Sequence, residues 1–268
     1  MTSDGWYRAT ILLGRAALRT LGVTVRVSGA GHVPTSGPAL LASAHTSYPD
    51  FVFLAKAALE RGRRPRLMCR HDVWHVPVVR HAMDRMRHIP VDREVPAAAY
   101  LTARRLLGEG EVVGAFPEAG ISYSFAVRSL MRGVAALGRE TGVPVVPTVV
   151  WGGQRIWSVG RPVDGRRPRP DLTRGRLVDV RFGEPFTVDP ADDLVEVTRH
   201  LGHALTDLLE AVQLLPEHRP APDEHAPWYP AHLGGHAPDR DEAGTFDSVP
   251  RSAVVPTWGP PPVVSEVG

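Results

Sequence analysis

The chain has 268 residues, 43% hydrophobic and 22% charged. This is the balance of a globular protein and excludes a wholly disordered or collagen-like chain. One cysteine, Cys69, excludes an internal disulfide framework and a Cys-rich zinc site. No apolar run reaches the roughly 18 residues of a spanning helix, and the N-terminus lacks the apolar stretch and cleavage site of a signal peptide; an intracellular protein is expected. The net charge of +2 is unevenly spread: residues 1–185 carry 27 Lys+Arg and 15 Asp+Glu (+12), whereas residues 186–268 carry 4 and 14 (−10). A body this basic attracts anions, whether phosphates, nucleic acid or an anionic lipid surface.

Along the chain, residues 6–21 (WYRATILLGRAALRTL) predict an amphipathic helix, with Arg8, Arg15 and Arg19 among the apolar side chains. Such a helix can lie in a membrane interface or pack on the domain surface. Val23–Val27 and Ala39–Ser43 predict strands, Phe51–Glu60 a helix, Arg66–Cys69 a strand and Trp74–Met83 a helix. His88–Val91 predicts a strand, Pro96–Leu107 a helix opened by proline, Val112–Phe116 a buried strand and Leu130–Thr141 a helix ending at Gly142. Val145–Trp151 and Leu177–Phe182 complete the strands. Residues 191–214 give the clearest helix, with leucines and valines at three- and four-residue steps and Asp189 placed to cap it.

Alternating strands and helices imply an α/β fold with a mixed, largely parallel central sheet flanked by helices. The expected units are the N-terminal helix (1–22), one α/β domain (23–215), a Pro-rich, partly docked extension (216–250) and a disordered tail (251–268). The change at 216 is compositional: 11 of the 26 prolines fall in the last 53 residues.

Two strand ends carry candidate chemistry. After Ala39–Ser43 comes Ala44-His45-Thr46-Ser47-Tyr48-Pro49-Asp50, in which Pro49 opens a helix. His45 then lies at the carboxyl end of a strand, where α/β folds place their sites. Asp50 lies in the first helical turn, where the helix dipole favours its ionised form. The spacing lets the carboxylate reach one imidazole nitrogen and leaves the other to take a proton from a hydroxyl. An ordinary imidazole is a suitable base at cellular pH, worth roughly 10²–10⁴-fold in rate. The second end is Phe116-Pro117-Glu118-Ala119-Gly120 after Val112–Phe116, which presents a carboxylate in a turn.

In these blocks the sequence resembles the glycerolipid acyltransferases typified by lysophosphatidic acid acyltransferase, the PlsC-like family. The family's His-x4-Asp block matches His45 to Asp50. A second block ending in Arg matches Ile89-Pro90-Val91-Asp92-Arg93. The third, Phe-Pro-Glu-Gly-Thr-Arg-Ser, is answered by Phe116-Pro117-Glu118-Ala119-Gly120-Ile121-Ser122. The fourth is matched by Val143-Pro144-Val145-Val146-Pro147. Order and spacing agree over residues 29–155.

The resemblance implies transfer of a fatty acyl group from acyl-CoA or acyl carrier protein to a hydroxyl of a lysophospholipid such as 1-acyl-glycerol-3-phosphate. His45 would be the general base and Asp50 its orienting partner. The acceptor would be bound by Arg93, Phe116, Pro117, Glu118, Ala119, Gly120 and Arg132. No metal or cofactor is implied, and no nucleic-acid partner; the expected location is the cytoplasmic side of the cell membrane, held peripherally. Two positions depart from the pattern: Ala44 stands for the usual Asn, and Ile121 for the Arg of the third block. The lost Arg removes a bidentate phosphate fork, which Arg128 or Arg132 would have to replace. A thioesterase or lipid esterase using the same pair, and a non-catalytic basic lipid-binding protein, are the rival readings.

Other patterns carry less. His71-x-x-x-His75 has helical metal-ligand spacing, but HExxH is absent and Pro77 disturbs the helix. Arg61, Arg63, Arg64 and Arg66 form a charge run expected in a solvated or lipid-facing loop, and Cys69 is expected to be a buried small apolar residue.

Overall fold

A computed structural model describes residues 3–92, 95–161 and 168–261. Seven strands form one sheet: β1 (Thr24–Ser28), β2 (Ala39–Ser43), β3 (Arg66–Arg70), β4 (Ile89–Val91), β5 (Val112–Ala115), β6 (Val145–Trp151) and β7 (Leu177–Phe182). Their order is β1-β7-β6-β2-β5-β3-β4, all pairs parallel except β6 with β7. The central strands β2, β5 and β6 are buried at every residue, as continuous apolar runs must be when helices cover both faces of a parallel sheet.

The covering helices are α1 (Ser3–Thr20), α2 (Asp50–Ala58), α3 (Pro77–Arg85), α4 (Ala97–Gly108), α5 (Gly133–Thr141), α6 (Leu194–Gln213) and the short α7 (Arg240–Phe246). One core gathers Leu106, Leu107, Val134, Leu137, Leu205 and Leu209 from α4, α5 and α6 on β2, β5 and β6. A second gathers Phe53 and Leu54 of α2 on the opposite face with Val146, Val150 and Val180. α1 is anchored by Tyr7, whose hydroxyl donates to Pro65 O and whose ring lies beneath Arg64 and Arg66. Its Leu12 and Leu13 stay exposed, at 66% and 72%. No helix among the described residues is long and apolar enough to cross a membrane.

Several boundaries differ from the sequence reading for local reasons. Residues 71–75 form a 3-10 turn, and α3 begins at Pro77: a residue without an N–H opens a helix more readily than it continues one. α6 is capped by Asp193, which accepts from the N–H groups of Val195 and Glu196. Asp189 instead accepts from Ala191 in the preceding turn. The arginine run is neither solvated nor lipid-facing as a whole. Arg61 donates to Val33 O, Arg63 to Pro34 O and Gly37 O, and Arg66 to Glu111 and Met86 O. Those guanidinium groups satisfy loop carbonyls and a carboxylate.

The largest correction concerns the tail. Residues 251–261, expected to be disordered, fold back on the body: Val254 bridges Leu130, and Trp258 is 2% exposed against α6. A Cβ on Gly202 of α6 would lie 2.4 Å from the Trp258 ring, so only glycine leaves the space that the indole fills. Burial of an aromatic this large outweighs the prolines around it.

Candidate active site

β2 and β5 are neighbours, and the loops leaving their carboxyl ends bring the two candidate blocks together. The β2 loop turns sharply into α2, which places Asp50 back against its own approach segment. Asp50 is wholly buried, and its carboxylate takes four donors. Oδ2 accepts from Thr46 N at 2.7 Å, Ser47 N at 2.8 Å and His45 Nδ1 at 3.0 Å, and Oδ1 accepts from the Ser47 hydroxyl. A carboxylate so surrounded is acceptor-only and fixes the histidine as an Nδ1–H tautomer, leaving Nε2 as the free base nitrogen. The His45 ring stacks on Phe116 with centroids 4.2 Å apart, and its side chain is 18% exposed. Gly153, after β6, packs beneath: a Cβ there would lie 2.4 Å from Ser47 Oγ.

Glu118 faces inward rather than towards a ligand. At 2% exposure its Oε1 accepts from the His45 backbone N–H at 2.7 Å and its Oε2 from the Arg128 N–H at 3.1 Å. Burial pushes its carboxyl up to about 7, against the pull of Arg128 and the two N–H donors. The Ser122 N–H returns a bond to His45 O at 3.0 Å, so Glu118 and Ser122 brace His45. Ala119, next in the turn, holds φ at 54°, a left-handed conformation where the family pattern has glycine.

The remaining predicted residues separate. Phe116, Pro117, Ala119 and Gly120 line a cleft of about 1600 Å³ with His45, whereas Glu118 and Arg132 are not on its wall. Arg132 is exposed at the start of α5, and Arg93 lies outside the described residues. Arg128 is not available for a phosphate: it donates to Glu118 O at 2.8 Å and pairs with Asp247 at 2.7 Å, with both side chains buried. Ile121 is 9% exposed. Among the described residues, the cations on the cleft wall are Arg15, Lys56 and Arg70. Apolar side chains dominate the rest, from Ile11 and Leu18 of α1 through Val52 and Val79 to Val134 and Leu137 of α5. Cys69, half-buried on this wall, has its thiol pushed up to about 12 by burial. The helix patterns gave no hint that one cleft would join α1, α2, α3, α4 and α5.

Comparison with known proteins agrees with this fold and candidate site. Residues 24–151 match the family described as Acyltransferase. The chloroplastic 1-acyl-sn-glycerol-3-phosphate acyltransferase of Arabidopsis thaliana is 28% identical over 140 residues, which is 51% of this chain and 38% of that protein. The 1-acyl-sn-glycerol-3-phosphate acyltransferase of Bacillus subtilis is 26% identical over 51% of this chain and 69% of its own length. The fold matches the crystal structure of the 1-acyl-sn-glycerophosphate acyltransferase PlsC from Thermotoga maritima with a TM-score of 0.60 and 19% identity, over 75% of this chain and 77% of that one. The chain thus spans about two fifths of the plant relative's length. Residues 24–151, just under half of the chain, are similar to the PlsC-like glycerolipid acyltransferases.

Proposed function

We propose that the protein transfers a fatty acyl group from a thioester, acyl-CoA or acyl carrier protein, to a hydroxyl of a lysophospholipid such as 1-acyl-glycerol-3-phosphate. The observation that carries this is the His45–Asp50 pair, Nδ1 to Oδ2 at 3.0 Å, opening on a large apolar cleft. His45 Nε2 takes the acceptor's hydroxyl proton as the oxygen attacks the thioester carbonyl. The new C–O bond forms, the C–S bond breaks, and the proton passes from the imidazolium to the departing thiolate. No serine or cysteine nucleophile is needed, because the acceptor itself is the nucleophile.

The cleft exceeds the roughly 300–1,000 Å³ of an ordinary small-molecule site, room that suits two lipid chains. The exposed Leu12 and Leu13 beside Arg8 and Arg15 on α1 suit an anionic lipid surface, in keeping with peripheral attachment to the cytoplasmic side of the membrane.

The test is thiol release from a long-chain acyl-CoA, with and without an extracted lipid mixture, by wild type and His45→Ala. Acceptor-dependent release that the variant loses by at least about 100-fold is expected, and mass spectrometry of the lipid products then names the acceptor. Release without acceptor, accompanied by free fatty acid, would replace transfer with hydrolysis. Near-wild-type turnover by His45→Ala would remove the base.

A further inference from the structure

The loop from Phe116 to Arg132, between β5 and α5, carries Glu118 and contains no regular element beyond the single bridge at Leu130. Buried irregular backbone must find hydrogen-bond partners outside itself, and here the C-terminal segment supplies them. Leu130 and Val254 exchange both backbone bonds, at 3.2 and 2.8 Å. Val127 O accepts from Trp258 Nε1 and from Arg240 Nη2, each at 3.1 Å. The Tyr123 ring lies 5.3 Å from that of Phe246. Most consequentially, Asp247 pairs with Arg128 at 2.7 Å. Arg128 holds Glu118 through its side chain and its backbone N–H, and Glu118 holds the His45 N–H. A buried guanidinium thus sits between the backbone carbonyl of Glu118 and the carboxylate of Asp247. The same segment reaches the cleft itself, whose wall includes Pro250 and Ser252 as well as Met131 and Val134.

We infer that residues 240–258, outside the matched acyltransferase region, are part of the active site, with Asp247 a positioning residue that holds the base-bearing loop through Arg128 and Glu118. The catalytic consequence rests on the acyl-transfer reading; the mechanical coupling does not. Without Asp247 the Arg128 fork loses its charged partner, and the Glu118 turn loses the anchor that aims it at His45.

The experiment compares the full chain with Asp247→Asn, Asp247→Glu and Trp258→Phe by hydrogen exchange at residues 44–48 and 118–131, with α6 as internal reference, and by steady-state thiol release. In Asp247→Asn, exchange in both segments rises roughly 10- to 100-fold, the loss of one charge-assisted bond, while α6 is unchanged. Its kcat falls roughly 10- to 100-fold, as for a displaced catalytic group, at little-altered KM for the thioester, and Asp247→Glu restores most of it. Trp258→Phe keeps a ring over Gly202 but removes one bond to Val127 O, and raises exchange in 118–131 alone. Unchanged exchange at 44–48 in Asp247→Asn overturns the coupling, as does a kcat loss that the glutamate fails to restore. If Asp247→Asn does not fold, Trp258→Phe decides: unchanged exchange at 118–131 refutes the tail's grip. A wild type that turns over no thioester refutes acyl transfer, and the exchange comparison still decides the coupling.

Discussion

Replacing Asp50 by asparagine removes a charge while keeping nearly the same shape. In the proposed mechanism His45 becomes an imidazolium beside this carboxylate. Unit charges about 4 Å apart at an effective dielectric near 20 attract by ~4 kcal/mol. His45 is 18% exposed, so water screens part of this, leaving about 2–4 kcal/mol of stabilisation. Losing it slows turnover roughly 30- to 1,000-fold. The fold should tolerate the change. One amide oxygen can take the place of Oδ2 and keep the N–H groups of Thr46, Ser47 and His45, while the amide nitrogen meets the Ser47 hydroxyl, which turns from donor to acceptor. A stability loss of about 1–2 kcal/mol is expected. Asp50→Ala, in contrast, strands two buried N–H groups and costs about 2–6 kcal/mol. The assay pairs thiol release with urea unfolding for both variants. Asp50→Asn turnover within threefold of wild type, at wild-type stability, would show that the carboxylate neither orients nor stabilises the base.

Two further perturbations probe the turn after β5. Ala119 at φ 54° carries a left-handed strain of roughly 1–2 kcal/mol, partly offset in Ala119→Gly by the freer unfolded chain. The variant gains about 0.5–1 kcal/mol, read as a higher urea midpoint; a lower midpoint refutes the strain. Glu118, held near 7 in the fold against an ordinary 4.5, keeps a proton that the unfolded chain has released, so its contribution to stability falls as pH rises from about 4.5 to 7. The difference in unfolding free energy between Glu118→Gln and wild type should therefore shift in the variant's favour across that window, by an amount on the order of a few kcal/mol. A pH-independent difference would mean that the buried carboxyl titrates normally. Glutamine also loses one of the two N–H contacts, so the variant starts less stable at low pH.

How much of this was legible in the sequence depended on the range of the interactions. β2, β6 and β7 have the boundaries that the sequence predicts; in β2 and β6 every residue is buried, so the apolar run and the strand end together. His45 and Asp50 were legible because five residues and a helix start suffice to bring them together. Glu118 was found but its direction was not. A turn carboxylate in sequence looks solvent-facing; the packing of β5 against β2 puts the His45 N–H in its path, and the fold of its own loop adds that of Arg128. Arg63 and Arg66 likewise read as a charged patch until Gly37, Gly110 and Glu111 close around them.

The docked tail left one local trace. Gly202 interrupts an otherwise strong helix former, at a cost of about 1 kcal/mol relative to alanine. Such a residue inside a long amphipathic helix asks for a packing partner. That partner, Trp258, lies beyond a run of prolines that composition alone assigns to disorder. Proline content lowers the entropy of the unfolded segment as well as its capacity for regular structure. A Pro-rich strap with one indole to bury and one carboxylate to pair therefore docks at smaller entropic cost than a flexible one, and it reaches the Glu118 loop with only the short α7 as regular structure.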